Sequence, residues 1–353
     1  MSRFCDQKLN LIEPYVPGEQ LNDKKYIKLN TNENPFYPSE RAVERANETL
    51  LNRLNRYSDP ESKELNKAIA DFYRVKIENV LATNGSDEAL AFAFMAYGKN
   101  VCFPDVTYGF YEVLANLFDC NAQKIELNED FTITPNKYYN AQKTVVIANP
   151  NAQTGIALSL EEVEGIIKNN PDNIVIIDQA YVDFGEGNAI DLIGKYKNLL
   201  VINTFSKSRS LAGARVGFAV ADSQIIDDLK KVKNSFHPYN VNSVSSALAI
   251  AAIEDKEYFE KSVTCVKATR EKLTSDLKAL GFDVLPSSAN FVLAKCDKIS
   301  GEELYLKLKD NGVLVRYFSS AKIADYVRIT VGTAEEMNTL VDKIKLIIEA
   351  KGQ

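Results

Sequence analysis

Along the chain, short unbroken apolar stretches alternate with segments whose apolar residues recur at helical spacing. Val80–Thr83 reads as a strand, and Gly85-Ser86-Asp87 opens an apolar helix that reaches Tyr97. KTVVIAN (143–149), NIVIID (173–178), LLVINTF (199–205) and residues 215–220 read as further strands. Helices are expected over 60–74 and 160–169, and a long helical region over 241–280. Strands apolar on both faces belong to a parallel-rich sheet covered by helices on either side. After Gly281 the texture changes to short strands (FDVL, NFVLAK, GVLVR, YVRITV) with helices over 301–311 and 335–350. Residues 1–40 are punctuated by Pro and Asn, and so long an element-poor segment is usually functional or an arm on another subunit. The pattern predicts an N-terminal arm (1–40) that partly joins the small unit, a large α/β unit (41–280) ending in a long helix, and a small α+β unit (281–353).

Composition narrows the chemistry. The 353 residues carry a net charge of −6, which leaves no electrostatic footprint for nucleic acid or an anionic membrane. No run of about 18 apolar residues occurs, and the start MSRFCDQKLNLIEPY lacks the apolar core of a signal peptide. The cytoplasm is the expected compartment. The single histidine, His237, excludes any metal site built on several imidazoles, and no metal is expected. Cys5, Cys102, Cys120, Cys265 and Cys296 are odd in number and widely spaced, as expected of reduced and mostly buried thiols. An enzyme of this composition must rely on Lys, Tyr, Asp, Arg or a cofactor.

Polar residues gather at strand ends, where open α/β sheets bind ligands. Asp178 ends NIVIID and Tyr181 follows three residues on. Such a carboxylate can be a loop cap or a functional group. Lys207 follows LLVINTF beside Thr204, Ser206 and Ser208, with Arg215 further on. A lone lysine there suits a solvated loop, but hydroxyls, an amine and an arginine in that order suit a phosphate pocket holding a nucleophilic amine.

These pieces, together with KLNTNENPFYPS (28–39), RYSDP (56–60), NGSDEAL (84–90), VTYGFY (106–111), NPNAQTG (149–155), PYNVNS (238–243), SSANFVL (287–293), GVLVR (312–316) and VRITVGT (327–333), stand in an order that resembles the fold-type I, pyridoxal-phosphate-dependent aminotransferases. More narrowly, the set resembles the histidinol-phosphate aminotransferase family. The resemblance covers nearly the whole chain. It implies a large, mostly parallel sheet with helices on both faces plus a smaller α+β domain, and pyridoxal 5'-phosphate as cofactor. It implies that Lys207 holds the cofactor's aldehyde and then carries the substrate proton, that Asp178 faces the pyridine nitrogen, that Tyr181 bonds the phenolic oxygen and that Tyr108 stacks on the ring. Gly85, Ser86, Asp87, Thr204, Ser206 and Arg215 would cradle the phosphate. Tyr57 would reach the cofactor of a partner subunit, which implies a homodimer with shared sites. Arg328 and Arg316 would bind substrate anions, with Asn32 and Tyr15 of the arm closing over them. The implied reaction exchanges an amino group between L-histidinol phosphate and 2-oxoglutarate, giving imidazole acetol phosphate and glutamate in histidine biosynthesis.

Two stretches depart from the family's pattern. NPNNPTG is common, whereas this chain has NPNAQTG. The Asn that would bond the phenolic oxygen is Ala152, so that either Asn151 or a water is expected in its place or the ring's electronics differ, and Gln153 replaces a Pro. DEAY becomes DQAY at Gln179, with modest expected effect. His237 reads as structural. Threonine-phosphate decarboxylase, aromatic amino-acid aminotransferase and a non-catalytic sensor of the same fold are the competing readings.

Overall fold

The computed structural model describes residues 12–21, 23–48 and 54–351; Cys5 lies outside them. Short β1 (Ile27–Lys28) belongs to the arm, and α1 (Glu40–Glu48) and α2 (Lys63–Tyr73) follow. Then come β2 (Val80–Thr83), α3 (Ser86–Tyr97), β3 (Asn100–Pro104), α4 (Phe110–Leu117), β4 (Asn121–Ile125), β5 (Thr144–Ala148), α5 (Leu160–Lys168), β6 (Val175–Asp178), β7 (Leu199–Thr204), β8 (Gly217–Ala221) and α6 (Ser223–Phe236). Among the described residues, seven strands form one sheet in the order β2-β8-β7-β6-β5-β3-β4, with β8 antiparallel to both its neighbours and the pairs from β7 to β4 parallel.

Side chains alternate across this sheet, and both faces are apolar. Val145, Ile147, Val175 and Ile177 pack on one side with Leu65 and Ile69 of α2 and Ile166 of α5. Val146, Ala148 and Ile176 pack on the other with α3, Leu114 of α4 and Ile226 of α6. The continuous apolar runs therefore have their cause: each strand is covered twice.

The region expected as one long helix is two, α7 (Ser243–Glu254) and α8 (Lys256–Ala279). Asp255 separates them with backbone angles outside the helical region, and its side chain accepts from Tyr258 N–H at the start of α8. The remaining elements are β9 (Asp283–Val284), β10 (Phe291–Lys295), α9 (Gly301–Asp310), β11 (Val313–Leu314), β12 (Arg316–Tyr317), β13 (Val327–Thr330) and α10 (Ala334–Lys351). A second sheet runs β12-β13-β10-β9 and is antiparallel. Its core joins Val292 and Ile329 to Leu304 of α9, Leu340 of α10 and Leu273 and Leu277 of α8. The arm is tied to it, because β1 pairs in parallel with β11 and Leu29 enters the same core. Among the described residues no helix is long and apolar enough to cross a membrane. Cys102 and Cys296 are buried thiols and Cys265 is exposed.

Candidate active site

A cavity of about 910 Å³ opens at the C-terminal ends of β5, β6 and β7, where Ala148, Asp178 and Thr204 line it. That volume suits a cofactor and a small substrate together. The arm, through Tyr15 and Asn32, and the second sheet, through Arg316 and Arg328, complete the wall. Ser86, Asp87, Tyr108, Tyr181, Ser206, Lys207 and Arg215 also line it.

At one end the chain builds an anion cradle. Gly85 caps α3 with φ +78°, a left-handed conformation that glycine adopts without strain. A Cβ there would lie 2.7 Å from Arg215 Nη2, so the guanidinium occupies the space that a side chain would fill. Gly217, opening β8, allows the same close approach, since a Cβ on it would stand 2.5 Å from Ser86 N. The result is a helix N-terminus facing an arginine, with the hydroxyls of Ser86, Thr204 and Ser206 beside it. Thr204 Oγ1 donates to Ser206 Oγ at 2.9 Å, and Arg215 Nη2 lies 3.4 Å from Asp87 Oδ2. Tyr108 Oη donates to the other oxygen of Asp87 at 3.0 Å.

At the centre stand Lys207 and Asp178. Lys207 Nζ donates to Thr31 O at 3.2 Å and lies 5.7 Å from the centre of the Tyr181 ring. Asp178 is 4% exposed and accepts from Tyr111 Oη at 2.8 Å and from Ala180 N–H at 3.1 Å. Burial raises its carboxyl to about 6, against the pull of those two donors. Burial likewise holds the Tyr108 and Tyr111 hydroxyls far above their usual range. Tyr111 escaped the sequence reading. It sits on α4, fully buried, with nothing in the local pattern to mark its hydroxyl as aimed at a strand end 67 residues away.

A carboxyl that ionises less readily folded than unfolded opposes folding as pH rises. For the protein stripped of small molecules, the Asp178 contribution therefore falls by about 3 kcal/mol between pH ~4 and ~6, since the native state binds the extra proton there. Asp178→Asn should melt higher than the parent at pH 7, with the advantage shrinking towards pH 4. A difference that does not vary with pH would contradict this. A cation placed against Asp178 would remove the penalty.

At the far end two arginines meet. Arg328 Nη1 donates to Ala152 O at 2.7 Å and lies 3.4 Å from Gln153 Oε1, and its guanidinium stands 5.1 Å from the Phe291 ring centre and 5.2 Å from that of Phe318. Its Nε is buried without a hydrogen-bond partner. Burial lowers its pKa, and Arg316 adds to that effect. Arg316 itself donates to the arm carbonyls of Pro17 at 3.1 Å and Val16 at 2.8 Å. Tyr15 packs edge-on against Tyr108, with ring centres 5.7 Å apart.

Four residues singled out in the sequence stand off this cavity. Asn151 does not line the cavity: its Nδ2 donates to Val106 O at 2.9 Å and its Oδ1 accepts from Gln153 N–H and Thr154 N–H, so it is spent on the turn and does not stand in for the Asn missing at 152. Tyr57 is outside this chain's cavity, 83% exposed, and stacks on Tyr239 with ring centres 4.6 Å apart. His237 ends α6 and lies 3.7 Å from Glu88, also away from the cavity. Gln179 is a buried loop staple that accepts from Ala189 N–H at 3.1 Å.

Residues 24–344 match the family model of the class I and II aminotransferases. The chain belongs to that family. It is 50% identical to the histidinol-phosphate aminotransferase of Brachyspira hyodysenteriae, across 99% of this chain and 100% of that one. It is 48% identical to the protein of the same name from a Marinomonas species, across 98% and 100%. Among solved structures, the histidinol-phosphate aminotransferase of Sinorhizobium meliloti in complex with pyridoxal-5'-phosphate superposes with a TM-score of 0.90 over 99% of both chains, at 20% identity. At that identity the likeness concerns the fold alone.

Proposed function

We propose that this aminotransferase uses pyridoxal 5'-phosphate to move an amino group between L-histidinol phosphate and 2-oxoglutarate, in histidine biosynthesis. The observation that carries the reading is the single cavity wall on which Lys207 stands between an anion cradle, a buried carboxylate and two arginines. The residues fit the cofactor: the space at Gly85 is taken by Arg215, and Asp178 is buried where a cation would relieve it. When bound, pyridoxal phosphate supplies an aldehyde that takes up an amino group and a ring that accepts the electron pair left on the substrate carbon.

The chain's own residues do the rest. Lys207 carries the proton at the amine-bearing carbon, as base and then as acid. Asp178, held by Tyr111, keeps the ring nitrogen protonated, Tyr181 bonds the phenolic oxygen and Tyr108 covers the ring face. The α3 N-terminus, Ser86, Thr204, Ser206 and Arg215 bind the cofactor phosphate. Arg328 meets the phosphate of one substrate and a carboxylate of the other, and Arg316 assists with the phosphate. The proposed clamp joins the arm (1–40) and the unit 281–353 to the large unit (41–280).

A homodimer completes the proposal. Tyr57 is too exposed to serve its own cavity, and Phe236, at 67%, is another large exposed apolar surface. Sedimentation should give twice the chain mass; a monomer that is fully active would remove Tyr57 from the site.

Arg316→Ala should lower kcat/KM for histidinol phosphate by about 10-fold or more and for unphosphorylated amino acids much less. Equal losses would mean that Arg316 only anchors the arm through Pro17 and Val16. The reading as a whole is tested by glutamate-coupled assays: histidinol phosphate should be used far better than phenylalanine, and the opposite order would favour an aromatic aminotransferase.

A further inference from the structure

Ala152 removes an amide that would have fixed the phenolic oxygen, and Asn151 does not replace it. The bonds around Tyr181 supply another device. Asn32 is 1% exposed on the arm, with φ +53°, a left-handed conformation in which Asn is among the tolerated residues. Asn290 Nδ2 donates to its carbonyl at 3.0 Å. Its backbone N–H donates to Thr330 Oγ1 at 3.0 Å, and Thr330 Oγ1 lies 3.0 Å from Asn32 Oδ1. A hydroxyl has one proton. Thr330, accepting from the backbone, gives that proton to Oδ1, which fixes the amide so that its Nδ2 faces Tyr181 Oη, 3.1 Å away. Tyr181, accepting there, has its own proton left to give elsewhere.

We propose that Asn32 is a positioning residue for Tyr181: its amide turns the Tyr181 hydroxyl into a donor aimed at the cavity, doing the orienting that Ala152 cannot. This rests on the reading that Tyr181 bonds the phenolic oxygen of the cofactor. The arm that is expected to close over substrate thereby also sets the electronics of the ring beneath it.

The test is a pH titration of the visible absorption band of the holoenzyme, a readout separate from turnover. Losing a donor to a phenolate makes that oxygen hold positive charge beside it more tightly, so the midpoint moves up. Tyr181→Phe should raise it by about one pH unit, the worth of one hydrogen bond to a charged group. Asn32→Gly suits the left-handed backbone and is neutral. It should raise the midpoint in the same direction, and the double variant should go no further than Tyr181→Phe alone. Thr330→Val, which leaves Asn32 in place but unpins its amide, should give a smaller upward shift and serves if Asn32→Gly does not fold. An unchanged midpoint in Asn32→Gly and Thr330→Val beside a shifted Tyr181→Phe overturns the proposal and leaves the cofactor reading standing. So does a shift in Asn32→Gly that adds fully to that of Tyr181→Phe. An unchanged Tyr181→Phe overturns both.

Discussion

Lys207→Ala should abolish transamination, with kcat/KM down by about 10^4-fold or more, because covalent capture and proton transfer are lost together. Lys207 is the one lysine on the described cavity wall, so no second amine is placed to substitute. Asp178 and Tyr111 are fixed on each other, and Tyr181 is held by Asn32. The variant should fold normally, since the Lys207 amine makes one bond, to Thr31 O, and is not part of the packed core. With the cofactor removed from both, its melting temperature should match the parent's, and on reloading the yellow colour of the covalently held cofactor should be missing. A variant with unchanged colour and turnover would sink the lysine assignment.

Arg328→Ala should lower kcat/KM by about 10^2- to 10^3-fold for both histidinol phosphate and glutamate, the usual cost of truncating one partner of a buried charge pair. This guanidinium is surrounded by a carbonyl, an amide and two aromatic rings, its Nε has no partner, and Arg316 repels it. A cation so placed is stabilised when an anion arrives, and a planar fork suits phosphate and carboxylate alike. Arg328→Lys should recover only part of the loss, because an ammonium cannot make the two parallel bonds. Losses confined to one of the two substrates would show that the anions have separate sites.

The doubly covered strands β2, β5, β6 and β7 were legible because each is a continuous apolar run, and the strand-end residues Asp178, Lys207 and Arg215 were legible with them. Edge strand β4, NAQKI, was not: most of it faces solvent and it pairs only with β3, so no apolar run marks it. Two-residue strands such as β1 and β11 carry no period at all. The break at Asp255 was hidden because helical patterns continue on both sides of it. Within the site, Tyr111 looks like core and is core apart from one oxygen. Asn151 looked available because sequence order says nothing of Val106 O, which consumes its amide. The work of Asn32 depends on Thr330, 298 residues away, and only the fold brings them together.

On the proposed function, histidinol phosphate is the compound that gives up its amino group to this aminotransferase. The most direct measurement is a single turnover of the purified, cofactor-loaded protein with that compound and no 2-oxoglutarate, beside threonine phosphate and phenylalanine. Histidinol phosphate should bleach the yellow band rapidly and release one equivalent of imidazole acetol phosphate, and the band should return on adding 2-oxoglutarate. Carbon dioxide release from threonine phosphate with no amino transfer from histidinol phosphate would contradict the proposed function.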